Sequence, residues 1–233
     1  VADTTSASPD GSGTFTLFPN NGQAPIISDT SVVFMAHTAG GFGIFRYPTD
    51  GSTPVVIVDN NTEVPGVIGG TFSYADWLFS ASGNKVAFRG RNDSGWGVYI
   101  SAGEELRAIA DTTTAIPGTE RLFTHLGDVA IDADRAVFTA SSGIAGFDGL
   151  YGYDKGTIHK ILEPGDELDG RRISFITIFP QALQGDVIVF AVTFTDGSEA
   201  IYKALLVAPQ RVVQLTTGAN PSPGDTPPDI LIP

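Results

Sequence analysis

A chain of 233 residues with 42% hydrophobic content can bury one large core or two small ones, and a formal net charge of −13 argues against nucleic acid or an anionic membrane surface as partner. Cysteine is absent, which excludes disulfide staples and thiolate metal sites and leaves stability to packing. The apolar runs are far shorter than a membrane span, and residues 1 to 14 have neither a basic n-region nor an apolar h-region.

In chain order the sequence repeats itself. Asp3-Thr4-Thr5 with Pro9, Asp59-Asn60-Asn61-Thr62 with Pro65-Gly66, Asp111-Thr112-Thr113-Thr114 with Pro117-Gly118, Glu163 with Asp169-Gly170, and Leu215-Thr216-Thr217 with Pro221 begin 56, 52, 52 and 52 residues apart. A period near this length signals stacked supersecondary units. The triplets VVF, VAF, AVF and IVF end at Phe34, Phe88, Phe138 and Phe190, and each is followed by GIF, GVY, GLY or AIY ending at Phe45, Tyr99, Tyr151 or Tyr202. Short β-branched and aromatic runs between Gly, Asp, Asn, Ser and Pro clusters read as strands and turns, and no segment of helical length keeps a 3.6-residue period.

The second unit predicts four strands: Leu78 to Ala81, Lys85 to Gly90, Gly97 to Ser101 and Leu106 to Ala110, with turns at Ser82-Gly83-Asn84, Asn92-Asp93-Ser94-Gly95 and Gly103-Glu104. The expected fold is therefore all-β, with four repeats of about 52 residues (13–62, 63–114, 115–166 and 167–217) and four antiparallel strands in each. Such units suit the blades of a small β-propeller; a flat or coiled stack of hairpins is the alternative. Residues 1–217 form the expected repeat domain and 218–233 a Pro/Gly-rich tail or linker.

The ends duplicate one another. Thr16-Leu17-Phe18-Pro19 follows the first Asp-Thr phrase and Ile230-Leu231-Ile232-Pro233 follows the last. Two copies of one segment overfill a closed ring, so Ile230, Leu231 and Ile232 are candidates for strand addition to another subunit, against the plainer reading of an unstructured tail.

In Asn92-Asp93-Ser94-Gly95-Trp96-Gly97-Val98-Tyr99, Asn, Gly and Tyr stand at the spacing NxxGxxxY. With its neighbours VAF and IAD…PG, the chain resembles bacterial secreted tandem-repeat proteins that carry this motif and are anchored at the surface. The first unit keeps Gly41 and Phe45 with Thr38 in place of Asn, the third lacks Asn and Gly, and the fourth keeps only Tyr202. The resemblance covers roughly residues 13 to 215. It implies an extracellular repeat scaffold and supplies no catalytic residues.

Catalytic fingerprints are absent: no HExxH, G-x-S-x-G, P-loop or dinucleotide motif occurs, and His37, His125 and His159 fall at different points of the repeat. Asp59, Asp111 and Glu163, with Asp3, share one repeat position and are hard oxygen donors suited to calcium. A repeated turn equally requires a repeated Asp or Thr to cap it, and that is the favoured reading. Asp128, Asp132 and Asp134 read as a solvated hairpin. The Asn60-Asn61-Thr62 and Asn92-Asp93-Ser94 triplets match the N-glycosylation pattern.

Variation within the repeat marks candidate ligand contacts. Three residues beyond each anchoring Phe stand His37, Arg91, Ser141 and Thr193, and three before each third-strand Phe or Tyr stand Phe42, Trp96, Asp148 and Glu199. Phe42 and Trp96 are expected in hairpin turns, free to stack on a sugar or anchor a protein; Trp77 is expected between blades. The functional expectation is a non-enzymatic extracellular or cell-surface binding module for glycan or protein. The alternatives are a structural subunit joined through its terminal segments and a carboxylate-dependent glycan-active enzyme.

Overall fold

The computed structural model describes residues 2–19, 24–103, 105–143, 148–206, 211–214 and 230–231, the last two segments and Trp77 by backbone only. The fold is all-β: among the described residues every regular element is a strand. The first sheet holds β1 (Phe15–Leu17), β2 (Ile26–Ser28), β3 (Ser31–Thr38), β4 (Gly41–Pro48) and β5 (Val55–Asp59). The second holds β6 (Tyr74–Ser82), β7 (Lys85–Asn92), β8 (Gly95–Ala102) and β9 (Glu105–Asp111), and the third β10 (His125–Asp132), β11 (Arg135–Ser141), β12 (Gly149–Asp154) and β13 (Thr157–Leu162). The fourth comprises β14 (Glu167–Leu168), β15 (Arg171–Thr177), β16 (Leu183–Gln184), β17 (Val187–Phe194), β18 (Glu199–Leu205), β19 (Arg211–Gln214) and β20 (Ile230–Leu231).

All pairing is antiparallel between neighbours, as in the blades of a β-propeller: β6-β7-β8-β9, β10-β11-β12-β13, β1-β3-β4-β5 with β2 beside β3, and β14-β15-β17-β18-β19-β20 with β16 beside β17. The strands expected in the second unit are found, with β6 longer than its sequence pattern because a bulge between Ala75 and Phe79 carries it past Asp76 and Trp77. The Pro/Gly-rich end contributes a strand: Ile230 pairs with Val212 and Leu231 with Arg211 of the same chain. Ile232 and the rest of that segment lie outside the described residues.

Each sheet is built on an aromatic cluster of three or more rings. The repeated Phe and Tyr are cross-strand partners: Phe34 with Phe45, Phe88 with Tyr99, Phe138 with Tyr151, Phe190 with Tyr202. In the last three sheets these rings stack at 20–27°. A further ring meets the pair edge-on, Phe15 on Phe45 at 82°, Phe72 on Tyr99 at 87° and Phe123 on Tyr151 at 83°. In the fourth sheet Ile173 occupies the β15 position and the edge ring comes from its cross-strand partner Phe194, at 77° to Tyr202. The glycine two residues before the ring follows from the same packing. A Cβ on Gly43 would lie 2.4 Å from the Phe45 ring and one on Gly97 2.5 Å from the Tyr99 hydroxyl.

Tight turns set the register. Asp29 (φ 49°), Gly83 (59°), Ala133 (52°) and Gly185 (57°) open the four equivalent two-residue hairpins, where a positive φ is required. Ala133 bears a Cβ in a backbone region that favours glycine. Ala133→Gly is expected to stabilise the fold by about 1 kcal/mol, read as a higher urea midpoint at unchanged slope.

The chain divides into two compact units, Val1–Thr112 and Thr113–Pro233, each with two sheets. In the first, Val33, Ile44 and Val58 pack with Phe72, Phe79, Val86 and Phe88. In the second, Val137, Leu150 and Leu162 pack with Ile188, Phe190 and Tyr202. Hydrogen bonds clasp the hairpin turns between paired sheets. Ser28 Oγ donates to the Gly83 carbonyl (3.0 Å) and the Arg46 guanidinium to that of Asn84, while Gly185 N donates to Asp132 Oδ2 (2.6 Å) and Arg135 pairs with Asp186. Asp132 is thus a clasp within its unit and not a member of a solvated cluster.

Candidate ligand-binding site

Strand register unites the two sets of variable residues. His37 is the cross-strand partner of Phe42, Arg91 of Trp96, and Thr193 of Glu199; Ser141 follows the Ala140–Gly149 pair and so stands opposite Asp148. Each rung extends to the first strand of its sheet, through Leu17, Tyr74, His125 and Phe175 respectively. Partners on one rung project from the same face, so every sheet presents a three-residue row beside the β3–β4 type hairpin.

The second sheet has the most developed row. Tyr74 meets Trp96 edge-on, with centroids 5.8 Å apart and planes at 85°. The Arg89 guanidinium lies 4.4 Å from the Trp96 ring centre and that of Arg91 5.8 Å, so two of the 13 basic residues of an acidic chain converge on one indole. Arg89 is held by an ion pair with the buried Asp76 carboxylate, whereas Arg91 is exposed. Burial raises the Tyr74 hydroxyl pKa, and the Asp76 charge adds to this, so the phenol stays a neutral donor. Trp96 is half-buried.

Phe42 does not belong to that surface. The turn before β4 is shorter than the sequence pattern suggested, so Phe42 lies in the strand, 7% exposed, with its ring 6.1 Å from Tyr74. Its contact with the row is through the Tyr74 ring. Trp96 likewise lies in β8, one residue beyond the turn. The side chain of Trp77 is outside the described residues.

In the third sheet His125 Nδ1 contacts Asp148 Oδ2 at 2.9 Å, with Ser141 on the same rung. These are the residue types of an acyl-transfer triad, but the Ser141 hydroxyl is buried and bonds to no group among the described residues, His125 included. A nucleophile needs both its base and access to substrate. In the fourth sheet Thr193 is flanked by Phe175, 39% exposed, and Glu199.

Asp3 and Asp59 cap their own loops. Asp3 Oδ1 accepts from Thr5 N (2.9 Å), Thr5 Oγ1 (2.7 Å) and Ser6 Oγ (2.9 Å), and these bonds hold its pKa down at about 2. Asp59 Oδ1 accepts from Asn61 N (3.0 Å) and Thr62 Oγ1 (2.7 Å). Glu163 receives Lys160 Nζ at 3.0 Å, and Asp166 takes over the turn by accepting from Glu163 N at 2.9 Å. Asp111 ends β9 beside Tyr99. Among the described residues no three His, Asp or Glu side chains converge as a metal site would require. Both glycosylation-type asparagines are engaged: Asn60 Oδ1 accepts from Phe42 N (3.0 Å), and the buried Asn92 takes Ser94 N (2.7 Å) and Gly95 N (3.1 Å).

Sequence reading missed Tyr74, Arg89, Asp76 and the His125–Asp148 pair. A usable signal existed in Phe72-Ser73-Tyr74 and Phe123-Thr124-His125, where the rung residue stands two beyond the edge-on ring.

No family model matches this chain, and no curated protein does. Among solved structures it is similar to the tricorn protease, with 16% sequence identity and a TM-score of 0.38 over 84% of this chain and 22% of that one. The chain spans about a fifth of the length of that protein, and a likeness at this level carries no argument about activity.

Proposed function

We propose that this chain is a non-enzymatic extracellular or cell-surface binding module that recognises an acidic glycan or protein segment through the Tyr74–Arg91–Trp96 row. The observation that carries this reading is the pairing of an exposed guanidinium with a half-buried indole on one rung. The indole offers a flat apolar wall, and Arg91 offers a planar fork for a carboxylate. Arg89, neutralised by Asp76, fixes the indole and leaves Arg91 as the group that meets the ligand. Rows of different chemistry on a common scaffold suit recognition, because the sheets position the side chains while each rung varies.

The test is binding of the purified chain to a panel of uronate-containing polysaccharides and acidic peptides. Trp96→Ala and Arg91→Ala are each expected to weaken binding about tenfold or more, as loss of an aromatic or arginine anchor does, with far-ultraviolet circular dichroism unchanged. Absence of binding across the panel, or binding indifferent to both substitutions, would exclude the reading.

A further inference from the structure

The turn clasps inside the two units differ in charge. In the second unit the clasp between the third and fourth sheets is ionic: Asp132 Oδ2 accepts from Gly185 N, and Arg135 pairs with the Asp186 carboxylate. Hairpin register fixes the equivalents of these two acids in the first unit as Ser28, which closes the β2–β3 hairpin, and Asn84, the second residue of the β6–β7 turn. Ser28 Oγ donates to the Gly83 carbonyl, and the Asn84 carbonyl takes the Arg46 guanidinium. Both clasps keep an arginine, but in the first unit neutral residues replace both carboxylates.

Arg46 is the more deeply placed of the two arginines, buried where Arg135 is half-buried. Its Nε finds no acceptor among the described residues, and none of their carboxylates forms an ion pair with it. Burial pulls its guanidinium pKa below the ordinary value, as expected of a charge withdrawn from water without a counter-charge. The acid on the facing turn, Asp29, is exposed and lies against Gly83. The cross-strand partners of Arg46 grade from Val33, 0% exposed, to Val55, 41% exposed, and Asn84 is exposed, so the guanidinium stands at the margin of the seam between the first two sheets.

We propose that Arg46 binds a small oxyanion, a carboxylate or an inorganic phosphate, in the role that Asp186 plays for Arg135. One guanidinium bond goes to the Asn84 carbonyl. The remaining N–H groups, Nε among them, form a planar fork that matches two oxygens of such an ion, whereas a spherical halide offers the fork no second oxygen. The site lies at the Lys85 end of β7, opposite the end that bears Arg91, and is therefore distinct from the Tyr74–Arg91–Trp96 row.

Thermal unfolding of the full chain tests this, in sodium formate or sodium phosphate titrated through the millimolar range with ionic strength held by sodium chloride. In the wild type at least one of the two is expected to raise the midpoint by roughly 3 °C at about tenfold its dissociation constant, along a saturating curve, because an ion that binds only the folded state stabilises it. A response to formate alone identifies a carboxylate site, and a response to phosphate alone a phosphate site. Asn84→Asp places a carboxylate where the second unit has Asp186, so it should raise the midpoint without added anion and remove the saturable response. Arg46→Met should remove that response too, leaving only the unsaturable effect that such salts have on any protein. A wild type without a saturable response would overturn the proposal, and so would a response that survives in either variant. Should Arg46→Met fail to fold, the Asn84→Asp result alone decides.

Discussion

Phe138→Ala is expected to cost about 3–5 kcal/mol, a large share of the roughly 5–15 kcal/mol that holds a domain folded. Phe138 is 0% exposed, stacks on Tyr151 at 5.8 Å and 26°, and is met by Phe123 at 6.0 Å and 72°. Truncation therefore removes two ring contacts as well as the buried area, and the remaining side chains are pinned by the β-ladder and cannot collapse into the void. Urea unfolding followed by circular dichroism measures the loss. Phe34→Ala provides the comparison at the same repeat position. Phe34 is 8% exposed and borders a cavity of about 670 Å³, but its ring lies 5.2–6.0 Å from those of Phe15, Phe18, Phe45 and Tyr47, so truncation there forfeits more ring contacts while opening less new void. It should cost less than Phe138→Ala on the scale where the penalty grows with the void created. Equal costs at the two positions would mean that the extra ring contacts offset the smaller void.

Much of this architecture is legible in the sequence because its determinants are local. VxF followed by GxY encodes two cross-strand ring partners and the glycine that makes room for the second ring. The turn residues at 29, 83, 133 and 185 encode the hairpin that aligns them. The Asp-Thr phrase is likewise local: Asp3 and Asp59 bond the backbone two residues on, as a turn cap does. The environment of equivalent residues was not legible. Phe42 and Trp96 occupy one repeat position, yet Phe42 is 7% exposed against Tyr74 of the next sheet while Trp96 is only half-buried, beside Arg91. Val33 and Val189 differ in the same way, fully buried in one sheet and 39% exposed in another. Periodicity specifies where a side chain points along a sheet; what lies against it depends on contacts far apart in sequence.

Three of the six tyrosines are expected to resist ionisation until the protein unfolds in alkali. Tyr99, Tyr151 and Tyr202 are at most 2% exposed, and each hydroxyl pKa is pushed up to about 12 from an ordinary 10.0. Burial is the main cause in all three. The Asp111 charge adds to it at Tyr99, and Glu163 and then Asp148 at Tyr151; at Tyr202 the donated bond to Asp169 Oδ2 (2.7 Å) holds the proton. Because the folded state disfavours the phenolate, stability is intact below pH 10, where both states keep the proton. It falls as pH rises from 10 towards 12, while the unfolded chain releases protons that the folded chain retains, and the loss is complete above 12. Two pH units correspond to about 3 kcal/mol for each group, and three such groups approach the whole stability of a domain. Cooperative loss of β-sheet circular dichroism is therefore expected between pH 10 and 12, accompanied by a late step in phenolate absorbance that disappears in denaturant. Tyr99→Phe and Tyr151→Phe should move the transition to higher pH, since each deletes a group that drives it and keeps the ring. Titration of all six tyrosines near pH 10 with the sheets intact would show that these hydroxyls are wetter than their burial implies, and the aromatic clusters looser.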